Sequence, residues 1–134
     1  MKPITTFTGR HLDVLNPRPE QIDARDIAAG LAFTVRFAGQ LSYFYSVAEH
    51  SVLVARFATG GDPARRDAFR TGGGWPADRD GRRLARFALV HDSEEAFLGD
   101  LTHQIKYLPA LTAYRALAAD LRDVIIDALV DARP

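Results

Sequence analysis

Residues 89–100 read LVHDSEEAFLGD, a stretch that places five ionisable side chains among apolar neighbours. The run has the apolar content of a core helix and reaches a glycine, a residue type typical of helix ends. Burying several charges on a core-facing helix is costly unless a partner compensates them. The stretch therefore indicates either a solvent-facing surface or a bound cation. Its ionisable residues are His91, Asp92, Glu94, Glu95 and Asp100.

The pattern predicts one helix over residues 82–98, in which successive side chains turn by about 100°. On such a helix Glu95 points between His91 and Asp92, whereas Glu94 lies on the other flank and is expected to be solvated. Adjacent His and Asp side chains can converge on a point between them, and they are acceptable ligands of a metal ion. The His-Asp dipeptide alone is a weak signal, because it occurs by chance in many proteins.

A second histidine, His50, lies in VAEHSVLVARF (47–57), which has the pattern of another mostly apolar helix. A lone histidine there is more often a core residue than a ligand. Two such helices, one with a carboxylate beside its histidine, make a metal site more plausible. The sequence holds no HExxH motif, and no Gly-x-Ser-x-Gly elbow supports a Ser-His-Asp triad.

Composition limits the classes of function. The 134 residues suffice for one domain with a real core, so we predict a single domain over 1–134. Lys plus Arg equals Asp plus Glu at 17 each, and this balance argues against a nucleic acid polymer as partner. There is no cysteine, so a metal would use His and carboxylates. The absence of a signal peptide and of any apolar run of about 20 residues favours a cytoplasmic protein without a membrane segment.

The remaining patterns predict an all-α fold with a short N-terminal β-hairpin. The segment ITTFTGRHLDVL (4–15) indicates the hairpin, and NPRPE (16–20) a rigid turn after it. Residues 59–81 are rich in Gly, Pro and Arg and are expected to form a long surface loop. The other expected elements are a helix capped by Asp23 and running to about Phe37, a turn or short helix at 100–109, and a last helix at 111–130.

The residues RF…YSVAEHSVLVA…ALVHDSEEAFLGDLTHQIKYLP resemble the HD-domain metal-dependent phosphohydrolases. The likeness is closest to small bacterial and phage members similar to the 5′-deoxynucleotidases, and it runs from about Phe33 to Leu108. The combination AEHS, HDxxE and GDLxxxxKY is specific. The resemblance implies an HD-domain helical bundle, one divalent metal ion (Mn, Co, Fe, Ni, Zn or Mg), and hydrolysis of a phosphoester of a dNMP or dNTP.

The resemblance also implies roles for individual residues. His50, His91 and Asp92 match the family's metal ligands. The family's catalytic glutamate falls on Glu95, in agreement with the helical wheel, and the acid after the glycine falls on Asp100. The remaining matches are Arg36, Phe37 and Lys106, which correspond to residues that hold the phosphate and the nucleoside.

One departure from the family concerns the fourth metal ligand, an Asp on a helix that has no counterpart here. Asp127 is the most central acid of the last helix, but it does not correspond by the order of helices. A truncated chain, a water ligand and a ligand from a partner chain of a homo-oligomer stay open. A solvated stripe is the simpler explanation for the acids of that helix, which are Asp120, Asp123, Asp127 and Asp131.

The rival function is a non-catalytic HD module that binds a nucleotide or a partner protein. The missing fourth ligand favours it. The retained Glu95, Asp100 and Lys106 oppose it, because a pure binding module needs no general acid or base.

Overall fold

The computed structural model of the chain describes residues 2–60, 75–76 and 78–131. Two short antiparallel strands, β1 (Ile4–Thr5) and β2 (His11–Leu12), form an N-terminal hairpin, and the rest of the regular structure is helical. This confirms the predicted all-α class with its hairpin. The helices are α1 (Ala24–Phe33), α2 (Val47–Ala58), α3 (Arg79–Leu89), α4 (Glu95–Leu98), α5 (His103–Lys106) and α6 (Thr112–Leu129).

The hairpin is anchored to α1 by a buried carboxylate. Asp26 accepts hydrogen bonds from the backbone N–H of Thr8 at 2.6 Å and from its hydroxyl at 3.0 Å. Leu12, on β2, is completely buried. The two interactions join the hairpin to the core, whose buried apolar residues are Leu12, Ile22, Ile27, Leu31, Val47, Val90, Leu121, Ile125 and Val130.

Helix α1 begins as predicted, with the Asp23 carboxylate accepting from the backbone N–H of Arg25 at 2.9 Å. The prediction that it runs to about Phe37 is wrong, because α1 ends at Phe33. The β-branched residues Thr34 and Val35 are extended instead, and Val35 pairs with Ser46 as an isolated antiparallel bridge. This pairing takes up backbone groups that a longer helix would use.

The predicted single helix over 82–98 is also wrong. Helix α3 ends at Leu89, and the chain passes through a tight turn at residues 90–94 before α4 begins. In the turn, Glu95 N–H donates to the Asp92 carbonyl, a bond between residues three apart, as in a 3-10 helix. At that spacing residues i and i+3 lie on the same side, so Asp92 and Glu95 face the same way.

The site-bearing turn is held by close helix packing. Helix α1 packs against α4, and α2 packs along α3. A Cβ at Gly30 would lie 2.6 Å from the Ala96 carbonyl oxygen, so only glycine allows α1 to approach α4 this closely.

The remaining predictions concern the 59–81 loop, the number of domains and the acids of the last helix. Most of the predicted 59–81 loop lies outside the described residues, and the single-domain organisation stays a prediction. The acids of α6 are exposed, which confirms the predicted solvated stripe. None of the helices in the described ranges has the length and apolar content to cross a membrane.

Candidate metal and phosphate site

Three side chains from two parts of the chain converge on one point. His50 lies within α2, while His91 and Asp92 lie in the turn after α3. One ligand atom from each lies within 4.8 Å of the other two. Asp92 Oδ2 is 3.0 Å from His91 Nε2 and 3.6 Å from His50 Nε2. The structure thus brings together the three residues predicted to bind metal.

Each histidine has a neighbour that orients its ring. His91 Nδ1 lies 2.7 Å from the carbonyl oxygen of Ala88, so this nitrogen carries the proton and donates it. His50 Nδ1 lies 3.4 Å from the Tyr45 hydroxyl. Both Nε2 atoms face Asp92, so the three side chains point their ligand atoms at one place, as metal-binding histidines and carboxylates do. Two imidazole nitrogens and a carboxylate oxygen therefore fit a divalent transition metal.

The charges around this cluster shift its pKa values. Burial lowers the pKa of His50, and the nearby charge of Arg36 lowers it further, which favours the neutral imidazole that binds metal. The hydrogen bond with Asp92 raises the pKa of His91. Burial pushes the pKa of Asp92 upward, but the hydrogen bond and charge of His91, together with the charges of His50 and Arg36, lower it below its ordinary value.

Arg36 and Phe37 follow α1 and reach the cluster from its side. Arg36 Nη1 lies 3.3 Å from Asp92 Oδ2, and its guanidinium sits 5.2 Å from the centre of the Phe37 ring. Phe37 has φ +55° and Ala38 +53°, values that non-glycine residues adopt rarely. This left-handed turn places Arg36 against a predicted metal ligand and leaves the Phe37 ring exposed.

Glu95 is the most strongly perturbed acid of the site. It is 3% exposed, and its Oε1 accepts from Lys106 Nζ at 3.3 Å. Its Oε2 is buried and has no hydrogen-bond partner among the described residues. Burial raises the pKa of Glu95 to about 7, and the charges of Asp92 and Asp100 add to the effect. Burial alone would lower the pKa of Lys106, but the charge of Glu95 raises it.

These residues line an open cleft with a volume of about 210 Å³. Gly99 ends α4 with φ +79°, and the chain turns there so that Asp100 reaches the cleft. All predicted site residues except His50 and His91 line it directly: Arg36, Phe37, Asp92, Glu95, Asp100 and Lys106. The others are Leu101, Thr102, His103 and Tyr107.

Two other acids, Glu94 and Asp127, lie where the sequence did not predict them or outside the ligand cluster. The prediction of a solvated Glu94 is wrong, because it is 0% exposed, and its Oε1 accepts from Arg122 Nη1 at 3.1 Å. Burial raises the pKa of Glu94. Asp127 is exposed, and the cluster found among the described residues contains His50, His91 and Asp92 without it.

His103 and Tyr107, which line the cleft, and Arg122, which pairs with Glu94 beside it, were not predicted from the sequence. A sequence signal existed for Arg122, since it falls on the stripe of α6 that also holds Leu121 and Ile125, where an arginine needs a buried partner. The arginine–glutamate pairing itself could not be predicted, because the two residues lie 28 positions apart.

Comparison with known proteins adds a family and two relatives. Residues 35–129 match the family described as 5'-deoxynucleotidase YfbR-like. The chain is 43% identical over 102 residues to an uncharacterized protein of Rhodobacter capsulatus, and 31% identical over 122 residues to the uncharacterized protein YfdR of Escherichia coli. The matches cover 75% and 91% of this chain but 44% and 55% of those proteins. The chain therefore spans about half the length of these curated relatives.

Proposed function

We propose that this chain, which belongs to the YfbR-like 5'-deoxynucleotidase family of the HD superfamily, hydrolyses the phosphoester of a 2′-deoxynucleoside 5′-monophosphate. The observation that carries the proposal is the environment of Glu95. A buried acid with a pKa of about 7 lies in a cleft beside three potential metal ligands and a lysine. A group with this pKa can exchange a proton near neutral pH, as general acid–base catalysis requires.

The metal ion is part of the proposal. His50, His91 and Asp92 would hold one divalent cation, and the nitrogen ligands suit Mn, Fe, Co, Ni or Zn better than Mg. Such a cation, when bound, lowers the pKa of a water molecule and polarises a phosphoryl oxygen.

Glu95 would carry the proton through the reaction. The water oxygen attacks phosphorus and forms a P–O bond, while the bond from phosphorus to the 5′ oxygen breaks. One proton of the water passes to the Glu95 carboxylate, which lines the cleft, and then to the leaving 5′ oxygen. The products are a deoxynucleoside and inorganic phosphate. Asp100 lines the same cleft and is the proposed second acid.

Lys106 and Arg36 would bind the phosphate. Each has donors beyond those used in its ion pair, since an ammonium carries three N–H bonds and a guanidinium five. Lys106 contacts Glu95 and Arg36 contacts Asp92, so a phosphate between them would lie next to both the acid and the ligand cluster. Phe37 would contact the sugar or base.

The test is a turnover assay with chosen metals and substrates. We would incubate the protein with Mn, Co or Mg and a panel of dNMPs, NMPs and dNTPs, and measure released phosphate and triphosphate. Phosphate from dNMPs is the expected result. Release of triphosphate from dNTPs would show that the protein is a dNTP triphosphohydrolase and not a nucleotidase. No release from any substrate with any metal would sink the hydrolase proposal.

One observation favours a second candidate, a non-catalytic nucleotide-binding module. Within the described ranges, the ligand cluster comprises three residues, fewer than the four ligands that the family resemblance implies. Binding of a dNMP with no turnover under any of the assay conditions is the result that would support it.

A small nucleotide, rather than a nucleic acid polymer, is the proposed partner, because the cleft is small and the chain carries balanced charge. A cytoplasmic location and a homo-oligomeric state stay predictions.

A further inference from the structure

Two planar side chains that line the cleft, His103 and Tyr107, have no role in the function proposed above. His103 begins α5 and Tyr107 directly follows it, so the four-residue spacing puts both on one face of that helical turn. Their ring centres lie 4.5 Å apart with an angle of 43° between the planes. Both residues line the cleft together with Lys106 and Glu95. We refer to His103 and Tyr107 as the aromatic wall.

The wall is exposed but held in place. Tyr107 is 59% exposed, and the Arg115 guanidinium lies 5.7 Å from its ring centre. Arg115 Nη1 also donates to the carbonyl oxygens of Lys106 at 2.9 Å and Leu108 at 3.0 Å, on either side of Tyr107. The backbone around the ring is thereby tied to α6. A ring fixed before binding loses little conformational entropy when a ligand stacks on it.

The size of the cleft indicates which part of a nucleotide would contact the aromatic wall. Pockets that enclose a small-molecule ligand usually measure roughly 300–1,000 Å³. At about 210 Å³ this cleft can enclose part of a nucleotide. With the phosphate held between Lys106 and Arg36, as proposed above, the rest of the ligand extends from these two cations toward the rim. Tyr107, the next residue, forms part of that rim.

We propose that the aromatic wall of His103 and Tyr107 stacks against the base of the bound nucleotide and so selects nucleotides over phosphorylated sugars that lack a base. The inference rests on the proposed nucleotide function and deepens it. Stacking accepts every base, because each has a π-face. The wall therefore predicts that the protein distinguishes ligands by the presence of a base more than by its identity.

The test compares two ligands that differ by the base alone, deoxyadenosine 5′-monophosphate and 1,2-dideoxyribose 5-phosphate, in which a hydrogen atom replaces the base. Calorimetric titrations are run with Mn²⁺ in a Glu95→Gln background, so that bound ligand is not consumed. The measured quantity is the ratio of the two affinities. Tyr107→Ala is the test variant, Tyr107→Phe retains the ring, and Phe57→Ala removes an exposed aromatic residue that does not line the cleft.

Loss of one stacked base is expected to reduce the affinity ratio by about 5-fold to 150-fold in Tyr107→Ala. Tyr107→Phe and Phe57→Ala are expected to keep the ratio within about 2-fold. If Tyr107→Ala lowers the affinities for both ligands equally, or lowers neither, the affinity ratio is unchanged. That result would contradict the stacking proposal without affecting the proposed nucleotidase activity. If neither ligand binds the protein with an intact Tyr107, the proposed function itself fails, and the wall fails with it.

Discussion

The carboxylate of Glu94 is closed off from solvent, and Arg122, on the last helix, donates to its Oε1 at 3.1 Å. The pair joins α6 to the turn that carries Asp92 and Glu95. The ion pair ties the last helix to the turn that carries the predicted metal ligand Asp92, and the hydrogen bond from Arg115 to the Lys106 carbonyl ties the same helix to the other side of the cleft.

We expect Arg122→Met to destabilise the protein by about 2–3 kcal/mol, since it leaves a buried carboxylate without its cation. The double variant Glu94→Gln/Arg122→Met should recover a large part of this loss, because the buried charge is also removed. Urea unfolding of the single and double variants measures both effects.

The matched control is the exposed pair Arg83–Asp131, which joins α3 to the end of α6 at 2.6 Å. Arg83→Met should cost less than about 1 kcal/mol, as solvated ion pairs do. Equal losses for Arg83→Met and Arg122→Met would show that burial of Glu94 adds nothing to its pairing.

Gly30→Ala tests the close approach of α1 to α4. Alanine favours a helix by about 1 kcal/mol over glycine, but its Cβ would meet the backbone of Ala96, and overpacking typically costs about 1–3 kcal/mol. We expect a net loss of up to about 2 kcal/mol in thermal or urea unfolding. Ala28→Ser, at an exposed position of the same helix, should stay within about 0.5 kcal/mol of the parent. A more stable Gly30→Ala variant would contradict the packing.

The assigned roles predict that metal binding and turnover can be separated. His91→Ala should abolish metal binding measured by elemental analysis, because the cluster loses one of its three ligand atoms. Glu95→Gln should keep the metal and lose rate on the order of 10²-fold or more. His11→Ala, in the hairpin, is the matched control and should keep its metal. If Glu95→Gln loses metal as His91→Ala does, Glu95 is a ligand and its proposed role is wrong.

Acid should weaken the start of α1. The hydrogen bond from the Arg25 side chain, followed by that from its backbone N–H, holds the pKa of Asp23 well below its ordinary value. Such a carboxylate contributes stability that is present above its unfolded pKa and is lost as the pH falls through its folded pKa. The loss therefore begins below about pH 4.

Asp23→Ser keeps a capping oxygen but cannot lose a charge. We expect the melting temperature of the parent to exceed that of Asp23→Ser by more at pH 7 than at pH 3. Asp127→Ser, which changes an exposed acid, serves as the control. Parallel curves for the parent and Asp23→Ser over this range would refute the prediction.

The sequence predicted those features that depend on residues close together in the chain, such as helix periodicity and capping. Apolar periodicity placed α2 within one residue of its observed end, and the Ser46 side chain caps it by accepting from the Glu49 N–H. The grouping of His50, His91 and Asp92 followed from the resemblance to the HD-domain phosphohydrolases, and the fold brings one ligand atom of each within 4.8 Å of the other two.

Failures arose where tertiary contacts override periodicity. The wheel through 82–98 assumed about 100° per residue, but the chain tightens after Leu89, and Glu94 turns toward Arg122 rather than toward water. Similarly, α1 stops at Phe33 because Val35 pairs with Ser46. Neither partner is near in sequence, so no local pattern could reveal it.

The Val35–Ser46 bridge has a consequence for altering this protein. Arg36 N–H donates to the Tyr45 carbonyl and Val47 N–H to the Thr34 carbonyl, each at 2.9 Å, so the loop between α1 and α2 is closed at its base. Each doubling of loop length costs only about 0.6 kcal/mol once the ends are fixed. The exposed residues 40–43 can therefore be lengthened or exchanged without moving His50, which makes this loop a suitable place to insert a tag or a label.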